Sequence, residues 1–175
     1  QMAVARSPRS YNSQIGVPLS VWLLDEQSQV GIFEAGISEP NEMQALRDII
    51  QPTIGVLTCL GAAHQENFQS MEEKCNEKLK LFHDAQCVVY GKDDALVEHC
   101  MQQLNIKGER LAWSMHDTQA ALYVSSAVKS DATTTITYTW QGNTHCYTLP
   151  FIDDASVMNS ITCAATALHL GVSAD

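Results

Sequence analysis

Glu34, His64 and Lys78 each close or open a short apolar run: Phe33-Glu34-Ala35-Gly36, Leu60-Gly61-Ala62-Ala63-His64 and Lys78-Leu79-Lys80-Leu81-Phe82. A carboxylate is a hard oxygen ligand, an imidazole can fill one more coordination position, and a lysine amine can be chemically modified. Together the three residue types suit Mg²⁺ and phosphoryl transfer. An α/β enzyme assembles such a site from loops at strand ends. No Gly-x-x-x-x-Gly-Lys-Ser/Thr loop occurs among these residues, so the part that would cradle phosphates is missing from them.

Each residue also has a plainer reading. Glu34 before Gly36 points toward the crevice outside the strand ends, or is a solvated loop acid. Gly61, Ala62 and Ala63 let a ligand approach the backbone before His64, although a lone loop histidine commonly binds nothing. Lys78 on the flank of a buried helical face would be desolvated, which favours its neutral amine. A neutral amine takes up carbon dioxide, and the carbamate formed is an anion able to hold a metal. Alternatively, Glu73, Lys74, Glu77 and Lys78 form the solvated charged face of an amphipathic helix. Residue types alone leave both versions open.

The elements that must position these residues follow from periodicity. Gln1 to Ser13 is polar and irregular, and Ile15 to Leu24 predicts a helix with Pro18 in its first turn. Val30 to Phe33 predicts a buried strand running out at Glu34. Met43, Leu46, Ile49 and Ile50 recur at helical spacing until Pro52. Ile54 to Thr58 predicts a second strand with His64 in the loop after it. Met71, Cys75, Leu79 and Phe82 mark one face of a helix starting near Ser70, with Lys78 at its edge. Cys87 to Tyr90 and Arg110 to Trp113 read as strands around a helix from Asp93 to Leu104. That alternation predicts an α/β fold with a mostly parallel sheet flanked by helices. Ala121 to Val128, Thr133 to Trp140 and His145 to Leu149 predict a small antiparallel β excursion, with Gln141-Gly142-Asn143 as a turn. Asp153, Asp154 and Ser156 offer N-caps for a last helix carrying Val157, Ile161, Ala164, Ala165 and Leu168 before Gly171.

Composition narrows the partners. The chain has 175 residues, 45% of them hydrophobic, enough for one domain with a real core. A formal charge of −10 disfavours nucleic acid and anionic membrane surfaces. No apolar run approaches the roughly 20 residues of a membrane span, and no signal-peptide pattern opens the chain, which points to a cytoplasmic protein. The six cysteines, Cys59, Cys75, Cys87, Cys100, Cys146 and Cys163, contain no Cys-x-x-Cys pair. They read as buried thiols, Cys87 and Cys163 especially, and not as a structural zinc site.

Tyr11-Asn12-Ser13-Gln14-Ile15-Gly16-Val17-Pro18, Phe33-Glu34-Ala35-Gly36, Gly61-Ala62-Ala63-His64 and Lys78 together resemble the Mur ligases over nearly the whole chain. The likeness implies residues 1–175 are the central ATP-binding domain, P-loop-NTPase-like, without its N-terminal phosphate loop and without the C-terminal ligase domain. It implies an ATP-dependent amide ligation that adds D-alanyl-D-alanine to UDP-N-acetylmuramoyl-tripeptide through an acyl phosphate, in peptidoglycan precursor synthesis. By the family pattern Glu34 and His64 bind Mg²⁺, and Lys78 is carbamylated and supports a second Mg²⁺. Asn12 lies near substrate and metals, and Asn159 contacts adenine. Ala155 and Ser156 replace the first residues of the family's His-Asn-x-x-Asn motif, and Gly91-Lys92-Asp93 stands where Asn-Ala-Asp is frequent. Ser7 to Gln14 is similar to a variant fused to alanine racemase, whose pyridoxal phosphate would lie outside this chain. Under the resemblance these residues alone do not ligate. The competing expectation is a non-catalytic nucleotide- or metal-binding module, or a structural module of a fusion protein.

Overall fold

The computed structural model describes residues 2–61 and 63–174. Its elements, in chain order, are β1 (Val4–Arg6), α1 (Gly16–Val21), β2 (Val30–Ile32), α2 (Glu42–Ile50), β3 (Ile54–Leu57), α3 (Met71–Leu79), β4 (Cys87–Gly91), α4 (Ala95–Gln103), β5 (Glu109–Ser114), β6 (Leu122–Lys129), β7 (Thr134–Trp140), β8 (Asn143–Leu149) and α5 (Asp154–His169). Short 3₁₀ turns at Gln65–Asn67 and Lys80–Phe82 flank α3. The chain divides into two compact units, residues 1–53 with 62–84, and residues 54–61 with 85–175. No helix among the described residues is long and apolar enough to cross a membrane.

In the first unit β1 pairs in parallel with β2, Val4 opposite Val30 and Arg6 opposite Ile32. The expected strand before Glu34 is therefore present. It is not buried, since Ile32 is 57% exposed, and its partner comes from the opening segment read as irregular. α1, α2 and α3 supply the apolar interior of this unit, with Val17, Met43, Leu46, Cys75 and Leu79 sealed from solvent. Gln51 ends α2 in the left-handed conformation at φ 48°, immediately before Pro52.

The second unit holds a six-stranded sheet in the order β3-β4-β5-β6-β7-β8. Strands β3 to β6 run parallel, and β6 to β8 antiparallel. The antiparallel strands thus extend the same sheet, entered through the pairs Trp113–Leu122 and Ser114–Tyr123. Residues 87–90 of β4 are all buried, as expected of a parallel strand covered on both faces. Gln141 and Gly142 both take positive φ, 48° and 80°, so β7 and β8 join through a two-residue turn with the hand that matches strand twist. Val157, Ile161 and Ala165 of α5 pack on Val89, Leu111, Trp113 and Leu122, and the Trp113 indole donates to Thr162 Oγ1 at 2.9 Å inside that layer. The Asp153 side chain caps α5 by accepting from the Ser156 N–H at 2.8 Å.

The cysteine expectation holds for half the set. Cys75, Cys87 and Cys100 are buried, whereas Cys59, Cys146 and Cys163 are exposed. Cys163 stands off the 157-161-165 stripe of α5 by about half a helical turn, so its apolar neighbours in sequence are not neighbours in space.

Candidate functional site

Glu34 lies two residues past the end of β2 and is exposed. Its backbone N–H donates to Ser7 Oγ at 3.3 Å, and the Ser7 N–H donates to the Ile32 carbonyl at 2.9 Å, so the β1–β2 ladder fixes the strand end that presents the carboxylate. Asn12 Nδ2 donates to Glu34 Oε1 at 2.7 Å, and the Gly36 N–H donates to the Asn12 carbonyl at 2.7 Å. A Cβ on Gly36 would meet the Asn12 side chain at 3.0 Å, so glycine lets the two segments close on each other. Asn12 and Glu34 are therefore brought together as one unit.

His64 is exposed and left-handed at φ 59°, ψ 21°, opening the 3₁₀ turn Gln65–Asn67. Ala62 of its motif lies outside the described residues. Two hydrogen bonds tie this loop to its surroundings. Asn67 Nδ2 donates to the Ser38 carbonyl at 2.9 Å, four residues after Glu34. Lys74 Nζ, on α3, donates to the Ala63 carbonyl next to His64. Gln65 Oε1 is buried with no hydrogen-bond partner among the described residues. The Gln65 amide oxygen and the Glu34 carboxylate are hard oxygen donors of the kind Mg²⁺ takes, on segments joined by the Asn67–Ser38 bond.

Lys78 is half-buried in the last turn of α3, at the edge of the buried face as the spacing predicts. The reading of α3's charges as one solvated face is corrected. Lys74 is 2% exposed and Glu77 3% exposed, because both lie on the flank of the 71-75-79 stripe where α3 meets the rest of its unit. Glu77 Oε1 accepts from the Met43 N–H at 3.3 Å, and its other oxygen accepts from Lys80 Nζ. Ser70 caps the start of α3 by accepting from the Glu73 N–H at 3.0 Å. Sequence reasoning missed Ser7, Gln65, Asn67, Lys74 and Glu77 as supports. The available signal was Lys74 one helical turn before Lys78.

A groove of about 470 Å³ beside α3 carries Glu72, Glu73 and Glu77 against Lys80. That lining repels phosphates, so it is no substitute for a nucleotide cradle.

In the second unit, Asn159 is exposed on α5. Lys92, in the segment where Asn-Ala-Asp was the family pattern, pairs with Asp117 at 2.6 Å. The hydrogen bond to Asp117 holds the Lys92 ammonium above its ordinary range, and the Lys92 bond holds the Asp117 carboxyl below its own. Asp93 is likewise engaged, accepting from Ser114 Oγ and from the Met115 N–H at 2.7 Å. A Cβ on Gly91 would lie 2.5 Å from the Trp113 ring, so glycine is required where the strand passes that indole.

Three comparisons bear on these arrangements. The family model described as "Mur ligase middle domain" matches residues 1–167. The UDP-N-acetylmuramoyl-tripeptide--D-alanyl-D-alanine ligase of Bacillus subtilis is 22% identical over 181 aligned positions, covering 100% of this chain and 37% of that protein. Among solved structures, MurF from Acinetobacter baumannii superposes with a TM-score of 0.87 at 18% identity, over 98% of this chain and 38% of that one. MurF ligase from Thermotoga maritima in complex with ADP gives 0.84 at 18% identity, over 100% and 41%. The chain thus spans about two-fifths of the length of the relatives it matches.

Proposed function

This chain belongs to the Mur ligase middle domain family, and from that premise we propose that it is the metal- and nucleotide-handling part of a ligase joining D-alanyl-D-alanine to UDP-N-acetylmuramoyl-tripeptide. The observation that carries the reading is the hydrogen-bonded succession Asn12–Glu34, Ser38–Asn67 and Ala63–Lys74, which ties the carboxylate segment, the imidazole loop and the helix bearing Lys78 into one assembly.

Glu34 and His64 would hold Mg²⁺, which supplies neutralisation of phosphate charge when bound. Asn12 fixes one oxygen of the Glu34 carboxylate, so that the other lone pairs face a ligand without reorganisation. Lys78 reacts as a neutral amine with CO₂, forming an N–C bond and releasing one proton, and the resulting carbamate adds a second anionic oxygen donor. The tripeptide carboxylate takes the γ-phosphoryl group from ATP to give an acyl phosphate. The amine of D-alanyl-D-alanine then attacks the carbonyl carbon and phosphate leaves. For such a reaction the protein's contribution is mainly position and charge. Substrates of this kind, together with ATP, support a cytoplasmic site of action.

In the full-length protein, His64→Ala and Lys78→Ala each cut turnover by at least about a hundredfold, the scale of losing an electrostatic support to a transferring group. Retention of wild-type turnover in both would overturn the proposal. The 175 residues alone, having no phosphate loop, release no ADP with both substrates present. A second reading, a binding module without chemistry, is favoured by Ala155 and Ser156 in the adenine motif and by Lys92 being paired with Asp117. It requires those same substitutions to leave turnover unchanged. The likeness of Ser7 to Gln14 to the racemase-fused variant supports a second, pyridoxal-phosphate-dependent activity on the same polypeptide, tested by alanine racemisation.

A further inference from the structure

The second unit carries another set of ligating atoms, at the end of the sheet where β4 and β5 begin. Cys87 opens β4, Glu109 opens β5, and the two are register partners. His169 is the last residue of α5. The thiol sulfur, a carboxylate oxygen and an imidazole nitrogen all lie within 4.8 Å of one another. Cys87 is buried, His169 half-buried and Glu109 exposed, so the set has a closed side and an open one.

We propose that Cys87, Glu109 and His169 form a binding site for a thiophilic divalent transition metal of the Zn²⁺ class, stapling the end of α5 to the start of β4 and β5. One sulfur, one nitrogen and one oxygen donor select Zn²⁺ or Co²⁺ over Mg²⁺, which prefers oxygen alone. Tetrahedral bonds of about 2.0–2.3 Å place ligand atoms roughly 3.3–3.8 Å apart, so side-chain rotations that draw the three together by about 1 Å complete the geometry. Three protein ligands leave the fourth position for water. The end of α5 adds the negative pole of a helix beside His169, which favours a cation there. Arg110, next to Glu109, does not compete for the site. Its guanidinium donates to the Met101 carbonyl at 3.1 Å and the Leu104 carbonyl at 2.6 Å. The ligands are 22 and 60 residues apart along the chain (109 − 87 and 169 − 109), which is why no Cys-x-x-Cys spacing announces them. Binding replaces the thiol proton by the metal, releasing one proton per ion.

The test titrates Co²⁺ into the full-length protein with Mg²⁺ at saturation, so that the Glu34 and His64 region is already occupied. The expected result is a thiolate-to-cobalt charge-transfer band saturating at one equivalent and bleached by one equivalent of Zn²⁺. Cys87→Ser should abolish the band. Glu109→Gln and His169→Gln, which change side chains outside the sealed core and keep the circular dichroism of wild type, should each weaken Co²⁺ binding at least about tenfold. No thiolate band at millimolar Co²⁺, or a band unchanged in Cys87→Ser and His169→Gln, overturns the assignment.

Discussion

Removing the Glu77 carboxylate should loosen the helix that carries Lys78, and the structure sets the size of the effect. α2 begins after Asn41, which sits in the left-handed region and makes no side-chain capping bond. Glu77 supplies the missing acceptor from α3, taking the Met43 N–H at 3.3 Å while Lys80 binds its other oxygen. Met43 is 1% exposed, so in Glu77→Ala its N–H loses its acceptor inside the fold. An orphaned buried N–H costs roughly 1–3 kcal/mol. Loss of negative charge at the start of α2 adds about 0.3–1 kcal/mol. The emptied volume adds to both, for a total of roughly 2–5 kcal/mol. Glu77→Gln keeps the shape and the acceptor for the Met43 N–H but loses the Lys80 bond and the charge assistance, about 1–2 kcal/mol. For a domain of this size 1 kcal/mol is about 2–4 °C in Tm. Urea unfolding gives the energies, and amide exchange at Met43 reports the bond itself. Exchange should quicken strongly in the alanine variant and modestly in the glutamine variant. Equal stabilities for alanine and glutamine, or unchanged Met43 exchange in Glu77→Ala, would refute the reasoning.

Other expectations follow from single contacts. Asn12→Ala should raise the Mg²⁺ concentration giving half-maximal turnover about 10–100-fold, the usual scale for an outer partner of a metal ligand, with little change in stability; Mg²⁺ titration of activity checks this. Thr162→Val leaves the buried Trp113 indole N–H without its acceptor and should cost roughly 1–3 kcal/mol in urea unfolding. Asp117→Asn should show its stability deficit across neutral pH. The folded carboxyl lies below 3.8, so its contribution is present above that value and fades as pH falls through the lower folded pKa. The folded Lys92 lies above 10.5, so the same pair is lost again as pH rises through that higher folded value. Unfolding curves from acid to alkaline pH, wild type against variant, read both edges.

Where periodicity was strong the sequence announced the elements. The 43-46-50 and 71-75-79 stripes located α2 and α3, the Gln141-Gly142 turn located the β7–β8 hairpin, and Asp153 located the start of α5. β1 escaped because three residues, Val4 to Arg6, carry too little pattern; only pairing with β2, 26 positions away, makes them a strand. Glu34, His64 and Lys78 were visible through residue type and resemblance. Their supports were not, because Asn67–Ser38 and Lys74–Ala63 are contacts to backbone carbonyls, and a carbonyl acceptor leaves no mark on the type of residue that supplies it. Lys74 and Glu77 misled for a related reason. Charged types suggest solvent, and only tertiary packing supplies the buried partners that make them affordable inside.

The central claim is one metal held by Glu34 and His64 with Lys78 turned into an anion beside it. ¹³C NMR of the full-length protein in ¹³C-bicarbonate tests it most directly. One carbamate resonance is expected, absent in Lys78→Arg, that Mn²⁺ broadens in wild type but far less in Glu34→Ala or His64→Ala. A spectrum without that resonance under saturating bicarbonate, or equal broadening in all three proteins, would contradict it.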